Sequence, residues 1–127
     1  MLFLGVNDLK DGTDSMVNIC VVNMKWMIDE IRKTNSKAQI IILAPTDINL
    51  ETMNEINVNK KYNKNTKNAL YSLEKKYSEL SKQEHAGFVS LLHAVSKSNY
   101  TDGLHPDENG QKQIAKRVWK KLKKRFN

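Results

Sequence analysis

Two short polar clusters contain the side chains of this sequence that could do chemistry together. In the first, Asp102 stands three residues before His105. A carboxylate at that spacing in a turn can accept the imidazole Nδ1–H, which fixes the tautomer and leaves Nε2 free as a base. The second cluster contains Asn7, whose amide can donate a hydrogen bond to an oxyanion. These are two of the three roles that an acyl-transfer site requires.

Each cluster taken alone also has a simpler interpretation. The Asp-x-x-His stretch could be a helix N-cap region with a surface histidine, and Asn7-Asp8 after a strand could be a plain Asx-turn. His85 and His93 have no carboxylate at a suggestive spacing, so we expect structural or surface roles for both. Ser15 opens a predicted helix, which favours a capping residue over a nucleophile.

The elements that would position the two clusters are strands and helices in alternation. Short β-branched or apolar runs predict strands, and apolar residues at three- and four-residue spacing predict helices. The strands are MLFL (1–4), QIIILA (39–44) and GFVSLL (87–92); the helices run from an N-cap at Asp14 to about residue 33, over about 62–80, and from Pro106 to near the C-terminus. This order predicts one α/β domain over residues 1–127, with a parallel sheet.

The polar clusters fall at strand ends of this predicted sheet. Gly5-x-Asn7-Asp8 follows the first strand, and Asp102-x-x-His105 lies in the loop after the third. Because ligands in open α/β sheets bind at the carboxyl ends of the strands, two such ends can bring the clusters together.

The positive charge of the chain is concentrated in its last predicted helix. The formal net charge is +7, and residues 116–125 (KRVWKKLKKR) contain seven basic residues and no acid. An apolar stripe on the same helix favours packing on the sheet, and it consists of Ile114, Ala115, Val118, Trp119, Leu122 and Phe126. The alternative is a basic helix that binds nucleic acid or an anionic membrane surface.

The sequence also indicates the cellular compartment of the protein. No apolar run approaches the roughly 18 residues of a membrane span. MLFLGVND has no basic n-region and too short an apolar region for a secretory signal. The single cysteine, Cys20, allows no internal disulfide and lies in an apolar helical stretch, which favours a buried structural thiol. We therefore expect a cytoplasmic protein.

Together, the two clusters resemble a known family. G-x-N-D after a strand, with D-x-x-H-P opening the final helix, resembles the SGNH (GDSL-type) hydrolases. LFLGVNDLK is similar to the third conserved block of that family, DGLHPDENGQKQIA to the fifth, and IIILAP to the strand between them. The resemblance implies a flavodoxin-like three-layer α/β/α fold of esterases and lipases that need no metal or other cofactor. It makes His105 the general base, Asp102 its partner and Asn7 an oxyanion donor, with Gly5 and Asp8 supporting the loop.

The sequence also departs from that family. The nucleophilic serine of SGNH hydrolases lies in a Gly-Asp-Ser motif after the first strand, and a second block supplies an oxyanion glycine. Neither block is present here, because the resemblance starts at the third. We therefore expect the family's first two strands and its nucleophile to be absent, and the chain alone to be inactive.

The remaining expectations concern partners, substrate and an alternative function. Without its usual neighbour, the MLFL strand would have an unpaired apolar edge, which predicts a homo-oligomer through that edge. The substrate would be a small-molecule, carbohydrate or lipid ester, with no nucleic-acid partner and no stable membrane insertion. The alternative function is a non-catalytic module that keeps the fold for binding or assembly.

Overall fold

The computed structural model describes residues 1–126, with side chains through Arg125, as parallel strands alternating with helices. The strands are β1 (Leu2–Phe3), β2 (Ile41–Ala44) and β3 (Gly87–Ser90). The helices are α1 (Asp14–Thr34), α2 (Glu55–Asn59), α3 (Lys64–Gln83) and α4 (Glu108–Phe126), with short 3₁₀ helices at Val6–Leu9 and Lys97–Asn99. The predicted α/β class and the parallel sheet are confirmed.

The central strand of the sheet is β2. The strand order is β1-β2-β3, with Leu2 opposite Ile42 and Ile42 opposite Phe88. All four residues of β2 are buried. A β-branched strand that is apolar on both faces must be covered on both, so this sheet carries helices on each side.

Helices cover both faces of the sheet in three layers. On one face, α1 and α3 bury Met24, Ile28 and Leu73 against Ile42 and Ala44. On the other face, α4 packs Ile114, Val118 and Leu122 against a second cluster formed by Ile41, Leu43, Val89 and Leu91. The two clusters follow the alternation of β2, because successive side chains of a strand point to opposite faces.

The first strand differs from the prediction. MLFL was expected to be a strand over residues 1–4, but β1 has only two residues, and Phe3 and Leu4 are about half exposed. Phe3 lies in register with Leu43, on the face that α4 covers. Among the described residues no strand pairs with the outer edge of β1, so the run has one neighbour only.

Two helix starts also differ from the prediction. Thr13, and not Asp14, is the N-cap of α1, because its hydroxyl accepts a hydrogen bond from the Met16 N–H. The last helix starts at Glu108, two residues after Pro106. Asp107 takes the capping role there, and its carboxylate accepts from the Gly110 N–H at 2.8 Å.

The apolar stripe of α4 is only partly covered. Ala115 is exposed and the Trp119 side chain is 63% exposed, whereas the stripe was expected to pack on the sheet throughout. The side chain of Phe126, the last member of the predicted stripe, lies outside the described residues. Within residues 1–126, no helix is both long enough and apolar enough to span a lipid bilayer.

Candidate active site

Asp102 and His105 form a hydrogen-bonded pair in the loop between β3 and α4. Nδ1 of His105 lies 2.7 Å from Oδ2 of Asp102. The His105 side chain is 69% exposed and that of Asp102 only 21%. The imidazole is therefore anchored through Nδ1, and its Nε2 edge can be reached from outside.

The Asp102 carboxylate hydrogen-bonds both to the backbone of its loop and to the His105 ring. Oδ1 of Asp102 accepts from the N–H groups of Leu104 at 3.0 Å and His105 at 2.8 Å. The intervening Gly103 has φ of +83°, and a Cβ there would lie 2.5 Å from the Cα of Met53. Only glycine meets both demands, since it tolerates positive φ and allows a close approach of two backbones.

The same loop is fixed to the segment that follows β2. The Asn49 N–H donates to the carbonyl of Gly103 at 2.8 Å, and the Asn54 N–H donates to the carbonyl of Asp102 at 3.1 Å. The position of the Asp102–His105 pair is thus set by backbone bonds between two strand-end loops.

The environment of Asp102 strongly favours its ionised form. Burial by itself raises the pKa of this carboxyl, but hydrogen bonds outweigh burial and hold the pKa well below its usual range. The donors are the His105 N–H and ring and the Leu104 N–H, and the nearby Asn57 amide adds a smaller effect. An ionised Asp102 can only accept, so it selects the tautomer that carries the proton on Nδ1.

The side-chain amide of Asn7 is oriented by a tyrosine. The Tyr62 hydroxyl donates to Oδ1 of Asn7 at 2.9 Å, and Asn7 is exposed. Because the oxygen is engaged, the Nδ2 group is directed away from Tyr62 and can donate elsewhere. Gly5 starts this turn with φ of +139°, and its carbonyl accepts from the Asp8 N–H at 3.1 Å.

Asn57 and Tyr62, which the sequence did not single out as site residues, connect the polar cluster of Asn7 with that of Asp102 and His105. The Tyr62 N–H donates to the carbonyl of Asn57 at 3.1 Å, and Nδ2 of Asn57 donates to the carbonyl of Asp102 at 3.3 Å. Together with the Tyr62–Asn7 bond, they form a continuous path from Asn7 to Asp102. Asn57 and Tyr62 are both buried, at 4% exposure each. The strand-end argument placed the clusters near each other, and this path is how the structure joins them.

The other side chains considered from sequence lie outside the path from Asn7 to Asp102. Asp8 is exposed; it adds to burial, the larger cause, in raising the pKa of Tyr62. Ser15 lies in the first turn of α1, and His85 is exposed. His93 is exposed and meets the Tyr71 ring edge-on, with centroids 5.6 Å apart.

A cleft of about 500 Å³ lies between the loops that follow β2 and β3. Asp47, Lys67, Tyr71, His93 and Tyr100 are among its lining residues. The Lys67 ammonium lies 2.5 Å from the Asp47 carboxylate, and the Tyr71 hydroxyl donates to the same carboxylate. Asn7, Asp102 and His105 do not line this cleft.

No nucleophile is in place beside His105 in the described part of the chain. Across residues 1–126, no serine hydroxyl hydrogen-bonds to the His105 ring, and the sequence contains no Gly-Asp-Ser. Cys20 is buried, and burial raises the pKa of its thiol to about 11, with Asp8 adding to the effect. Nor do three His, Cys, Asp or Glu side chains within those residues come together as a metal-binding group.

Comparison with known proteins defines the class. The model of the GDSL-like lipase/acylhydrolase family matches residues 1–113. That match covers most of the chain, including Asn7, Asp102 and His105. The chain belongs to the GDSL-like lipase/acylhydrolase family, and the predicted resemblance is confirmed.

Two solved structures have the same fold. A candidate platelet activating factor from Streptococcus pneumoniae is 21% identical with a TM-score of 0.77, and 93% of this chain aligns with 57% of that one. A candidate acylhydrolase from Bacteroides fragilis is 16% identical with a TM-score of 0.67, over 96% of this chain and 58% of that one. The chain thus spans less than two thirds of either protein. A search of curated proteins found no match.

Proposed function

We propose that this chain provides the base, its partner and an oxyanion donor for acyl-ester hydrolysis, with His105, Asp102 and Asn7 in those roles. The observation that carries the proposal is the 2.7 Å contact between His105 Nδ1 and Asp102 Oδ2 in a loop at the carboxyl end of the sheet. Membership of the acylhydrolase family supports the reaction class.

The proposed base acts through Nε2 of His105. Asp102 holds the proton on Nδ1, so the lone pair of Nε2 is free to take a proton from a serine hydroxyl. The serine oxygen then forms a bond to the ester carbonyl carbon, and the imidazolium returns the proton to the departing alcohol. A water molecule repeats the cycle on the acyl-serine, which releases the acid and restores the neutral ring.

Asn7 supports the oxyanion formed in each half of this cycle. Its amide N–H groups are free to donate because Tyr62 binds the amide oxygen. In serine hydrolases, removing one such donor lowers kcat by about 10² to 10³. Gly5 and Asp8 hold the turn that presents Asn7.

The nucleophilic serine is proposed to come from polypeptide outside these 127 residues. This follows from the missing Gly-Asp-Ser motif, and it makes the chain alone inactive toward esters. A small-molecule, carbohydrate or lipid ester is the proposed substrate class. The same missing motif favours a second candidate function, a module that keeps the fold for binding or assembly without catalysis.

A serine-directed fluorophosphonate probe separates the two functions. We expect no labelling of the 127-residue chain and labelling of a version extended by the codons that precede Met1 in the gene. Labelling of the extended version should slow strongly with His105→Ala and remain unchanged with His85→Ala, a histidine outside the site. If the extended version is never labelled, the hydrolase proposal fails and the non-catalytic binding module is the function that is left. Labelling at full rate in His105→Ala would remove His105 from the proposed role.

A further inference from the structure

The cleft between the loops that follow β2 and β3 lies outside the candidate active site, since Asn7, Asp102 and His105 do not line it. Its volume of about 500 Å³ lies within the roughly 300–1,000 Å³ that is typical of small-molecule sites. The two loops are joined where the strands end, because the Asp47 N–H donates to the carbonyl of Leu92 at 3.2 Å. We call this surface the β2–β3 cleft.

The charged side chains that line the β2–β3 cleft are paired with each other. Nζ of Lys67 lies 2.5 Å from Oδ2 of Asp47, and Nζ of Lys97 lies 3.5 Å from Oε1 of Glu51. The two ion pairs leave the described lining with no excess of either sign. A charged ligand would lose its hydration there without gaining an unpaired counter-charge, so the lining favours a neutral ligand.

The Asp47–Lys67 pair still has one acceptor site and one donor to offer. Oδ1 of Asp47 accepts from the Ile48 N–H at 2.8 Å, and Oδ2 accepts from Lys67 and from the Tyr71 hydroxyl. A carboxylate has roughly four lone-pair sites, so one is left among the described contacts. The Lys67 ammonium also donates to the Ile48 carbonyl at 3.3 Å, which leaves one of its N–H groups. An acceptor beside a donor suits hydroxyl groups, because a hydroxyl both donates and accepts.

Tyr100 adds another group that suits a hydroxylated ligand. This residue lines the cleft and is only 8% exposed. Within residues 1–126 its hydroxyl has no hydrogen-bond partner of normal geometry, although Thr46 lies nearby. Burial, with Asp47 as a smaller cause, raises the pKa of Tyr100, so the phenol keeps its proton at neutral pH. An apolar ligand would leave this buried hydroxyl unpaired, whereas a hydroxyl of the ligand can pair with it.

Two exposed rings give the β2–β3 cleft an angular aromatic wall. The centroids of Tyr71 and His93 are 5.6 Å apart and the ring planes meet at 68°. Leu50 adds a further exposed apolar side chain to the lining. The C–H groups of a saturated ring can pack on these surfaces while its hydroxyls reach Asp47 and Lys67.

We propose that the β2–β3 cleft binds a neutral carbohydrate, and that the bound unit is a pyranose ring. Neighbouring hydroxyls of the ring hydrogen-bond to Asp47 and Lys67, and a further hydroxyl pairs with Tyr100. One C–H face of the ring packs on Tyr71 and His93. The proposal does not depend on ester hydrolysis, because the cleft is separate from the candidate active site.

The test is an NMR titration of the ¹⁵N-labelled 127-residue chain with the methyl pyranosides of glucose, mannose and galactose. These three sugars differ in the orientation of single hydroxyls, so a site that reads hydroxyls should separate them. Cyclohexanol keeps a saturated ring and lacks neighbouring hydroxyls. Glucose 6-phosphate is the charged probe, and adenine is the flat aromatic probe.

Two cleft variants and two matched controls locate the binding. Tyr71→Ala removes an exposed ring, and Asp47→Asn keeps the shape of the side chain and removes its charge. Trp26→Ala and Asp29→Asn make the same kinds of change on α1, away from the cleft. Circular dichroism of each variant verifies that the fold is retained.

We expect at least one of the three pyranosides to bind with a dissociation constant below about 10 mM and to shift backbone signals within residues 46–50 and 91–97. Tyr71→Ala and Asp47→Asn should each weaken that binding at least about tenfold, and the controls should change it less than about twofold. Glucose 6-phosphate should bind no more tightly than the methyl glucoside.

Four results would overturn the proposal. The first is that none of the three pyranosides binds. The second is that cyclohexanol binds as tightly as the best pyranoside, which would leave the hydroxyl contacts without a role. The third is that adenine or glucose 6-phosphate binds more tightly than every neutral sugar, which would assign the cleft to another class of ligand. The fourth is that the α1 controls weaken binding as much as the cleft variants, which would place the bound sugar elsewhere.

Discussion

Nδ1 of His105 and Oδ2 of Asp102 are 2.7 Å apart, and the histidine is exposed while the aspartate is largely covered. This arrangement fixes the orientation of the His105 ring and leaves the ring exposed. The imidazole is held through Nδ1 from the protein side, which leaves its Nε2 edge accessible from outside.

The first prediction concerns the tautomer of His105. In the native chain, ¹⁵N NMR of the neutral ring should show the proton on Nδ1. Asp102→Asn replaces an acceptor by a group that can also donate, so a large share of the ring should change to the Nε2–H tautomer. Asp29→Asn, a surface change on α1, should leave the spectrum as it was. Identical tautomers in the native chain and Asp102→Asn would contradict the role given to Asp102.

The second prediction concerns stability in acid. The folded-state pKa of Asp102 is lowered, so its stabilising contribution is complete above the unfolded pKa of about 3.9. The contribution is lost as pH falls below that value toward the folded pKa. The native chain should therefore lose more unfolding free energy than Asp102→Asn between pH 6 and pH 3. Urea unfolding at several pH values measures this, and a gap between the two proteins that is constant with pH would rule it out.

The third prediction concerns Tyr62 as the group that orients Asn7. Tyr62→Phe removes one hydroxyl and leaves the ring, so it should lower the unfolding free energy by about 1 kcal/mol. The Asn7 side-chain amide signals should shift and broaden, because nothing then restrains the amide orientation. Tyr71→Phe is the matched control, since that hydroxyl contacts Asp47 and not Asn7. Unchanged Asn7 signals in Tyr62→Phe would show that the amide is oriented by something else.

The fourth prediction is association through the outer edge of β1. Phe3 and Leu4 are half exposed beside an edge that has no partner within the described chain. We expect a dimer in sedimentation equilibrium and a dissociation constant raised at least about tenfold by Phe3→Lys. Trp26→Lys changes a more exposed aromatic residue, which lies on α1, and should have little effect. A monomer at all concentrations would show that a second copy of the chain does not pair with this edge.

Local patterns were sufficient to predict most of the fold. The β-branched run of β2 and the helix-spaced apolar residues of α1 and α3 predicted their elements within a few residues, because burial sets both periodicities. The errors lie where local signals compete. Pro106 suits the first turn of a helix, but Asp107 provides the cap, so α4 starts later. Phe3 is apolar, yet about half of it is exposed.

The sequence placed Asn7, Asp102 and His105 at strand ends of the sheet, and their catalytic roles stay predictions. The hydrogen bonds that connect these residues could not be predicted from the sequence. The path through Asn57 and Tyr62 depends on contacts 45 and 55 residues apart in sequence, and no local pattern contains them. Tyr62 looked like an apolar helix residue and Asn57 like part of a polar loop, so their roles emerged only from the tertiary structure.

Hydrolysis of p-nitrophenyl acetate tests the central claim most directly, namely that His105, Asp102 and Asn7 form part of an ester-hydrolase site whose serine lies elsewhere. The 127-residue chain should be inactive, and the version extended upstream of Met1 should be active. That activity should fall by about 10³ or more with His105→Ala and by about 10² with Asn7→Ala, and His93→Ala should leave it unchanged. Hydrolysis by the 127-residue chain that survives His105→Ala, or activity of the extended version that does not depend on His105, would contradict the claim.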